Sequence, residues 1–267
     1  MNRPERPIAA DWLALRRAAD TVARDRALDL VAEWVGSAPE TDALTIVDVG
    51  AGTGANRAYL EPRLPRAARW VLLDHDADLL AASAAVHTER VAGGIGELDD
   101  LIRTHHPQLV TCSALLDLLT AAELDELADV LLSHRVPALF SLTVDGSVVL
   151  DPPHPQDAEL SDAFNAHQAR AGRPGSGAAG HLADRCARLG LDVRRADTPW
   201  LLDAAAAPLI HRLLTERVEA AVEAFPELAR VGAEWLAARL ASLDDGRLRV
   251  RVGHVDLLIT WSPPGTR

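Results

Sequence analysis

The chain has 267 residues, of which 48% are hydrophobic, so it can bury the core of one large domain. Its 39 acidic residues outnumber its 27 basic residues, and the net charge of -12 argues against nucleic acid as a substrate. All the basic residues are arginine, which excludes mechanisms that need a lysine amine, such as Schiff-base and pyridoxal chemistry.

Cysteine content and hydropathy bear on where the protein works. Cys112 and Cys186 are too few for a disulfide framework or a zinc cluster, so we expect a reducing compartment and no metal site. The N-terminal residues lack the apolar stretch of a signal peptide, and no run of about 18 apolar residues follows. We therefore predict a cytoplasmic protein that does not contact a membrane.

The predicted elements begin with helices and continue with short buried strands. Residues 9–36 carry apolar positions at helical spacing and end at Gly36, which predicts one or two helices. Apolar runs follow at 44–49, 70–74 and 107–113, with helical sequence between them. This alternation predicts parallel strands that are covered on both faces by helices.

The second half of the chain is predicted to add strands and a large insertion. Residues 136–144 form a buried strand, and Asp145 and Gly146 suggest a hairpin that continues from it. Residues 151–180 are rich in proline and glycine around one helical segment, which predicts an insertion over the active-site rim. The remaining elements are a helix at 181–190, a strand from 191, two helices within 204–241 that break near Pro226, and a long strand at 247–261.

A glycine-rich turn between the first strand and the next helix is the clearest motif. Gly50, Gly52 and Gly54 directly follow the buried strand, where bare backbone lets a ligand approach closely. Asp74 ends the second strand, and its carboxylate can accept both hydroxyl hydrogens of a ribose. The turn and Asp74 together predict a nucleoside cofactor.

Two nucleoside cofactors fit these residues. Residues 50–55 can be aligned with the dinucleotide pattern of nicotinamide enzymes, which also requires an acidic residue about 20 positions later. Three features favour adenosylmethionine: the helices before the first strand, Asp48 two residues before the first glycine, and a terminal strand after a helix. A nicotinamide enzyme would also need a separate catalytic domain, for which this length barely leaves room.

Four segments resemble the motifs of class I S-adenosylmethionine-dependent methyltransferases, over roughly residues 44–261. They are VDVGAGTG, LLDHD, GGIGELDDL and LVTCSALLDLL. The resemblance implies a Rossmann-like α/β fold with a seven-stranded, mostly parallel sheet, an antiparallel last strand, N-terminal helices and inserted helices. It also implies S-adenosyl-L-methionine as the cofactor.

The resemblance assigns a different segment of the chain to each part of the cofactor. By this likeness, Asp48, Gly50, Ala51 and Gly52 hold the methionine end, Asp74 the ribose, His75, Glu97 and Leu98 the adenine, and Ser113 and Ala114 lie beneath the sulfonium. The adenine segment departs from the family pattern, because Glu97 follows the glycine where the family has an aspartate. Asp99 is the alternative there.

Substrate contacts are expected beyond the carboxyl ends of the strands, where open α/β sheets bind ligands. Arg16, Asp20 and Arg24 share one face of the N-terminal helix, although a surface ion-pair ladder explains their spacing equally well. The other candidates are Asp117, which could instead cap or pack a helix, Asn165 and Gln168 in the insertion, which could instead be solvent-exposed, and Trp200, for which packing is the alternative.

A general base is optional, because the sulfonium is already a strong methyl donor and the enzyme chiefly aligns the acceptor with it. His167 and His254 are the better candidates for a base, although His254 within an apolar strand is also typical of a packed core residue. The N-terminal helix and residues 151–180 are expected to close over the cofactor as a lid, so that deleting residues 1–36 abolishes turnover.

We therefore predict a methyltransferase that acts on a small molecule. An NAD(P)-dependent oxidoreductase and a catalytically silent cofactor-binding module are the alternatives. The segments FNAHQ and VGHVDLL are similar to a group of bacterial methyltransferase-like proteins, a likeness that implies no particular acceptor.

The whole chain is predicted to be a single domain. Its parts are an N-terminal helical cap at 1–43, a cofactor-binding half at 44–150, the inserted loop and helix at 151–180, and a C-terminal half at 181–267 with a helical insertion at 204–241. Apolar residues in that last insertion could form a homodimer interface, although covering the sheet explains the same spacing.

Overall fold

The computed structural model describes residues 10–84 and 88–261, which are built around one 8-stranded sheet. The strands are β1 (Leu44–Val49), β2 (Ala68–Asp74), β3 (Thr88–Ala92), β4 (Leu109–Ser113), β5 (Ala138–Asp151), β6 (Asp192–Asp197), β7 (Trp200–Leu202) and β8 (Arg249–Thr260). Their order is β3-β2-β1-β4-β5-β8-β6, and β7 pairs with β8. The first five strands are mutually parallel, whereas β8 is antiparallel to its neighbours, as predicted.

Helices precede the sheet and alternate with its strands. They are α1 (Ala10–Arg24), α2 (Leu28–Ser37), α3 (Ala55–Leu60), α4 (Ala77–Ala82), α5 (Leu98–His105), α6 (Ala121–His134), α7 (Asp157–Gln168), α8 (Ala178–Arg188), α9 (Ala207–Ala224) and α10 (Ala229–Asp244). Within the described ranges, no helix combines the length and the apolar character that crossing a membrane requires.

The two faces of the sheet carry separate hydrophobic cores, because side chains alternate between the faces along each strand. Val47 and Val49 of β1 belong to the core formed with α5, α6 and α8. Leu44 and Ile46 belong to the opposite core, formed with α2, α3 and α4. Burial on both faces explains why the parallel strands are almost continuously apolar in sequence.

A third core lies where β5 and β8 extend past the other strands. β4 ends at Ser113, which pairs with Ser141, so residues 142–151 of β5 project beyond the carboxyl end of β4. Helices α1, α7, α9 and α10 pack on this projection, around side chains such as Leu150 and Trp235. A helical layer therefore overhangs the carboxyl edge of the sheet, where open α/β sheets bind ligands.

The predicted hairpin at Asp145 and Gly146 is wrong. β5 continues through these residues as one strand, and its register against β8 shifts between Val144 and Val148. Asp145 Oδ1 accepts hydrogen bonds from the backbone N–H and the hydroxyl of Ser147, and Gly146 has a φ of 82°. The turn-forming pair therefore makes a bulge within the strand instead of reversing the chain.

Two strands account for the remaining differences from the sequence-based prediction. Residues 88–92 form β3, which was not predicted because this edge strand has no fully buried residue and no apolar run. The strand predicted from residue 191 divides at Thr198 and Pro199 into β6 and β7, since proline has no N–H to donate to a ladder. The sheet therefore has 8 strands where seven were predicted.

The apolar residues of the 204–241 region are used within the chain. Ile210 and Leu214 of α9 and Trp235 of α10 are buried in the third core. Covering the projection of β5 and β8 therefore accounts for their helical spacing. These buried residues give no support to a homodimer interface, and the homodimer remains a prediction.

Candidate active site

The glycine turn between β1 and α3 adopts a backbone that requires glycine. Gly50, Gly52 and Gly54 have φ values of 65°, 51° and 83°, in the left-handed region that other residues rarely adopt. A Cβ atom at Gly50 would lie 2.8 Å from Leu115 Cδ2, and one at Gly54 would lie 2.7 Å from Ser83 Oγ. Close packing from both sides therefore fixes the path of the turn.

The carboxylate of Asp74, at the end of β2, lies against this turn. Its Oδ2 accepts a hydrogen bond of 2.7 Å from the Gly52 N–H, and its Oδ1 accepts one of 2.9 Å from the Asp76 N–H. His75 Nδ1 lies 3.3 Å from the same Oδ1. The bare backbone of the first strand's turn and the acidic residue of the second strand thus meet at one point.

A cavity of about 150 Å³, which we call the smaller cavity, opens in front of this carboxylate. It is bounded by the glycine turn, the ends of β2 and β4, and α1. Of the residues predicted from the sequence, it is lined by Gly50, Ala51, Gly52, Asp74, His75, Ser113, Ala114, Arg16 and Asp20.

Asp48 does not line the smaller cavity, because its side chain is fully buried behind the turn. Its Oδ1 accepts a hydrogen bond of 2.6 Å from Asn56 Nδ2, whereas its Oδ2 has no hydrogen-bond partner among the described residues. Burial raises the pKa of this carboxyl to about 7, against the opposing effects of Asn56 and Arg24. Asp48 therefore supports the turn from the inside.

The predicted adenine contacts Glu97 and Leu98 also lie away from the smaller cavity. Glu97 Oε2 accepts a hydrogen bond of 2.6 Å from the Gly94 N–H and so caps its own helical turn. Leu98 is fully buried in the core with α6. The side of the cavity beyond Asp74 is instead lined by His75, Asp76 and Leu79.

A second cavity of about 720 Å³, the larger cavity, lies under the overhanging helices. Side chains of α1, α7 and α9 and of the projecting parts of β5 and β8 enclose it. Of the predicted residues, it is lined by Arg16, Ala114, Asp117, Asn165, His167, Gln168, Trp200 and His254. Trp12, Arg16, Ala114 and Leu118 line both cavities, so the two spaces adjoin.

Helix α1 forms the wall between the two cavities and is fastened to β7. Asp20 accepts hydrogen bonds from Arg16 Nε at 2.8 Å and from Trp200 Nε1 at 3.0 Å. The Arg16 guanidinium lies 5.1 Å from the centroid of the Trp200 ring, and Trp12 makes an edge contact with the same ring at 6.5 Å. The two predicted substrate residues are therefore an ion pair, in which Arg16 lines both cavities and Asp20 lines the smaller one.

Arg24, predicted to share this face, lines neither cavity. It is buried, its guanidinium lies 3.8 Å from the centroid of the Tyr59 ring, and its Nη2 donates to Asn56 Oδ1 at 2.7 Å. The last turn of α1 therefore contacts α3, whereas the preceding turns line the cavities. Helical spacing alone could not reveal where that change occurs.

The two predicted base candidates differ in their surroundings. His254 Nδ1 lies 3.1 Å from the Val252 carbonyl oxygen, which can only accept, so we assign the proton to Nδ1 and a lone pair to Nε2. Burial lowers the pKa of His254 to about 4, so the ring is neutral at pH 7. His167 Nε2 instead lies 3.5 Å from Glu223 Oε1, and its Nδ1 lies 3.3 Å from Gln168 Nε2.

Asp117, a residue predicted from the sequence, lies in the wall of the larger cavity, where burial raises the pKa of its carboxyl.

Several other residues of the larger cavity were not predicted from the sequence. Opposite elements add Trp12, Phe164 and Arg217, which were not singled out. Arg217 had a detectable signal, since it occupies a position that the apolar spacing of α9 would give to a hydrophobic residue.

Comparison with known proteins finds similarity in structure only. No protein-family model matches the sequence, and no curated protein matches it. The cyclopropane synthase MmaA2 from Mycobacterium tuberculosis has a TM-score of 0.51 at 12% identity, with 95% of each chain covered. The chain has the fold of the class I methyltransferases. The YcgJ protein from Bacillus subtilis shares this fold, with a TM-score of 0.50 at 12% identity over 88% of this chain and 100% of that one.

Proposed function

We propose that the chain is a methyltransferase that binds S-adenosyl-L-methionine in the smaller cavity and a small-molecule acceptor in the larger one. The observation that carries the proposal is the contact between the Gly52 N–H and the Asp74 carboxylate, at the edge of an open cavity. A carboxylate is an acceptor only, which suits the two hydroxyl donors of a ribose. The fold of the class I methyltransferases is the one that the sequence motifs led us to expect.

The residues around the smaller cavity fit the cofactor. A Cβ atom at Gly52 would lie 4.0 Å from Asp74 Oδ2 and 3.8 Å from Leu13, so glycine keeps the space before the carboxylate open. Residues 50–52 would hold the methionine end, Asp74 the ribose, and Leu79 one side of the adenine. When bound, the cofactor supplies an electrophilic methyl group.

The size of the smaller cavity gives α1 a further role in binding. At about 150 Å³ it is well below the roughly 300–1,000 Å³ of typical small-molecule sites. Leu13 and Trp12 of α1 form part of its wall. We infer that α1 moves outward to admit the cofactor and then closes over it, which excludes water from the site.

The acceptor would be oriented by the polar groups of the larger cavity. Its volume of about 720 Å³ lies within the usual range for a small molecule. His254, neutral and with its lone pair on Nε2, can accept a hydrogen bond from the acceptor. His167, whose Nε2 lies 3.5 Å from Glu223 Oε1, is the other side chain of this cavity that could act as a base.

The topology and the second cavity weigh against the two alternative functions. Sheets that bind dinucleotides commonly have the parallel order 3-2-1-4-5-6, whereas here the antiparallel β8 lies between β5 and β6. A silent cofactor-binding module would not need a second enclosed space of this size beside the cofactor. Both features favour an enzyme that transfers a group from adenosylmethionine.

Calorimetric titration of the whole chain with S-adenosylhomocysteine, and separately with NAD, tests the proposal. We expect one molecule of S-adenosylhomocysteine to bind and NAD not to bind. Asp74→Asn should weaken binding about 10-fold or more, because a charged hydrogen-bond acceptor is lost. Asp78→Asn, the same change at an exposed site in α4, is the matched control and should leave the affinity unchanged. An absence of heat with S-adenosylhomocysteine, or equal affinity of D74N and the unaltered chain, would contradict the proposal.

A further inference from the structure

The larger cavity has a cationic wall in a chain whose overall charge is strongly negative. Its lining includes five arginines against three acidic residues, although the chain carries a net charge of -12. The arginines are Arg16, Arg170, Arg173, Arg212 and Arg217. Whether these arginines are available to a ligand depends on which of them are already paired with carboxylates of the chain.

Three of these arginines form ion pairs with carboxylates of the chain. Arg16 pairs with Asp20 at 2.8 Å, Arg212 with Glu216 at 2.7 Å, and Arg170 with Glu223 at 3.3 Å. These three charges are compensated within the protein. The fourth arginine, Arg173, donates from Nε to the Arg170 carbonyl oxygen at 3.4 Å, and its charge opposes the rise in the pKa of Asp117. None of the four by itself indicates a ligand.

Arg217 differs from them in both burial and partners. The residue is 8% exposed. Among residues 10–84 and 88–261, its only polar contact is a long one of 3.4 Å, from Nη2 to Ser161 Oγ. The guanidinium lies 3.9 Å from the centroid of the Phe164 ring. Burial lowers its pKa to about 10, with no carboxylate opposing the effect, so it remains charged at neutral pH.

The other deeply buried arginines show what a purely structural arginine has in this protein. Arg239 forms a two-point ion pair with Asp157, at 2.6 and 2.7 Å, and donates to the Pro152 carbonyl oxygen. Arg24 donates to Asn56, and Asp256 and Asp48 stabilise its charge. Arg217 has no such acid in the part of the chain that the structure describes, although it lines a cavity. A buried charge without a partner is costly to fold, which suggests that the partner comes from outside the chain.

We propose that Arg217 binds an oxyanion, a carboxylate or a phosphate, on an amphipathic acceptor whose apolar part lies against the hydrophobic wall of the larger cavity. Only the statement that this ligand is the methyl acceptor rests on the proposed function. Phe164 lies against the guanidinium, and Leu142 and Val148 supply further apolar surface in the lining of the same cavity. The planar fork of arginine suits carboxylate and phosphate oxygens, which it can bind through two parallel hydrogen bonds. Arg217 does not line the smaller cavity, so anion binding and cofactor binding can be measured separately.

Calorimetry with three six-carbon probes, hexanoate, hexyl phosphate and 1-hexanol, tests the proposal, with and without saturating S-adenosylhomocysteine. At least one anionic probe should bind about 10-fold or more tightly than the alcohol, and the tighter anion identifies the oxyanion. Arg217→Met keeps the long stem against Phe164 and should remove this preference. Arg217→Lys should restore part of it, because it returns the charge without the planar fork.

The control variant is Arg230→Met, which removes an exposed arginine of α10 and should leave the preference unchanged. Thermal melting of R217M should give a cooperative transition no lower than that of the unaltered chain, since a buried charge is removed. Equal binding of the anions and the alcohol would overturn the proposal, as would an anion preference that persists in R217M. S-adenosylhomocysteine should bind R217M normally, so failure of the cofactor assignment and failure of the anion site give different results.

Discussion

At the scale of single residues, the glycine turn depends on a buried polar chain behind it. Arg24 donates to Asn56, and Asn56 donates to Asp48. Asn56 Nδ2 also lies 3.2 Å from Thr111 Oγ1, which ties the turn to β4. The aspartate of the first motif therefore holds the turn in shape, whereas Gly50, Ala51, Gly52 and Asp74 line the smaller cavity.

Asp48 gives the fold a pH dependence that can be measured. Its pKa is about 7 in the folded protein, above the ordinary value of 3.8, so its contribution to stability is complete below pH 3.8 and is lost as the pH rises through 7. Asp48→Asn cannot ionise and should not show this loss. Relative to the unaltered chain, the free energy of unfolding of D48N should rise by about 3 kcal/mol between pH 5 and pH 8.5.

Urea unfolding at several pH values measures this difference. The control is Asp78→Asn, which removes an exposed carboxylate of α4 and should shift stability equally at both pH values. A difference between D48N and the unaltered chain that does not change with pH would show that Asp48 is charged throughout this range.

Residues that act through local backbone geometry could be predicted from the sequence, whereas residues brought together by distant elements could not. Gly50, Gly52 and Asp74 are fixed by their places at strand ends, so their meeting point followed from the motif. Glu97 and Leu98 were assigned by resemblance, but one caps its own turn and the other is buried in the core. Arg217 faces the cavity only because α9 folds back over β5 and β8.

At the scale of elements, α1 is the part of the chain that belongs to both cavities. Its N-terminal end is held to α9 by the ion pair of Asp11 with Arg212, at 2.9 Å, and its middle to β7 by Asp20 and Trp200. Helix α1 also packs Leu15, Ala19 and Ala23 against the third core, so its opening must break apolar contacts as well as these polar ones. By contrast, α2 places Trp34 in the core beneath the sheet.

The positions of α1 and α2 reduce the number of residues that can form the lid predicted from the sequence. Deleting residues 1–36 would also remove the core side chains of α2, so loss of turnover in that variant would not isolate a lid. In the 151–180 region, α7 lines the larger cavity and not the smaller one. We therefore assign closure over the cofactor to α1 alone, and enclosure of the acceptor to α7.

Hydrogen exchange of the backbone amides tests the closure of α1. Saturating S-adenosylhomocysteine should slow exchange in Ala10–Arg24 by about tenfold or more, which corresponds to about 1.4 kcal/mol of added local stability. Exchange in α10, which lines neither of these cavities, should not change and provides the internal control. If α1 exchanges equally fast with and without the ligand, it does not close over the site.

At the scale of the whole molecule, the alternation of apolar runs and helices was enough to predict the parallel strands, and the resemblance of the motifs implied the antiparallel last strand. Burial on both faces leaves a strong apolar signal in β1, β2 and β4, whereas the edge strand β3 has none. The length of β5 was not predicted, because the residues of its bulge resemble a turn. That length nevertheless creates the projection on which α7 and α9 pack to enclose the larger cavity. The size and the charge of the larger cavity therefore could not be predicted from the sequence.

A crystal structure of the whole chain with S-adenosylhomocysteine would show where the cofactor binds and how it is oriented. We expect both ribose hydroxyl oxygens within hydrogen-bond distance of the Asp74 carboxylate, the amino-acid end along residues 50–52, and the sulfur facing the larger cavity past Ala114. A nucleoside bound elsewhere, or bound with its ribose away from Asp74, would contradict this assignment.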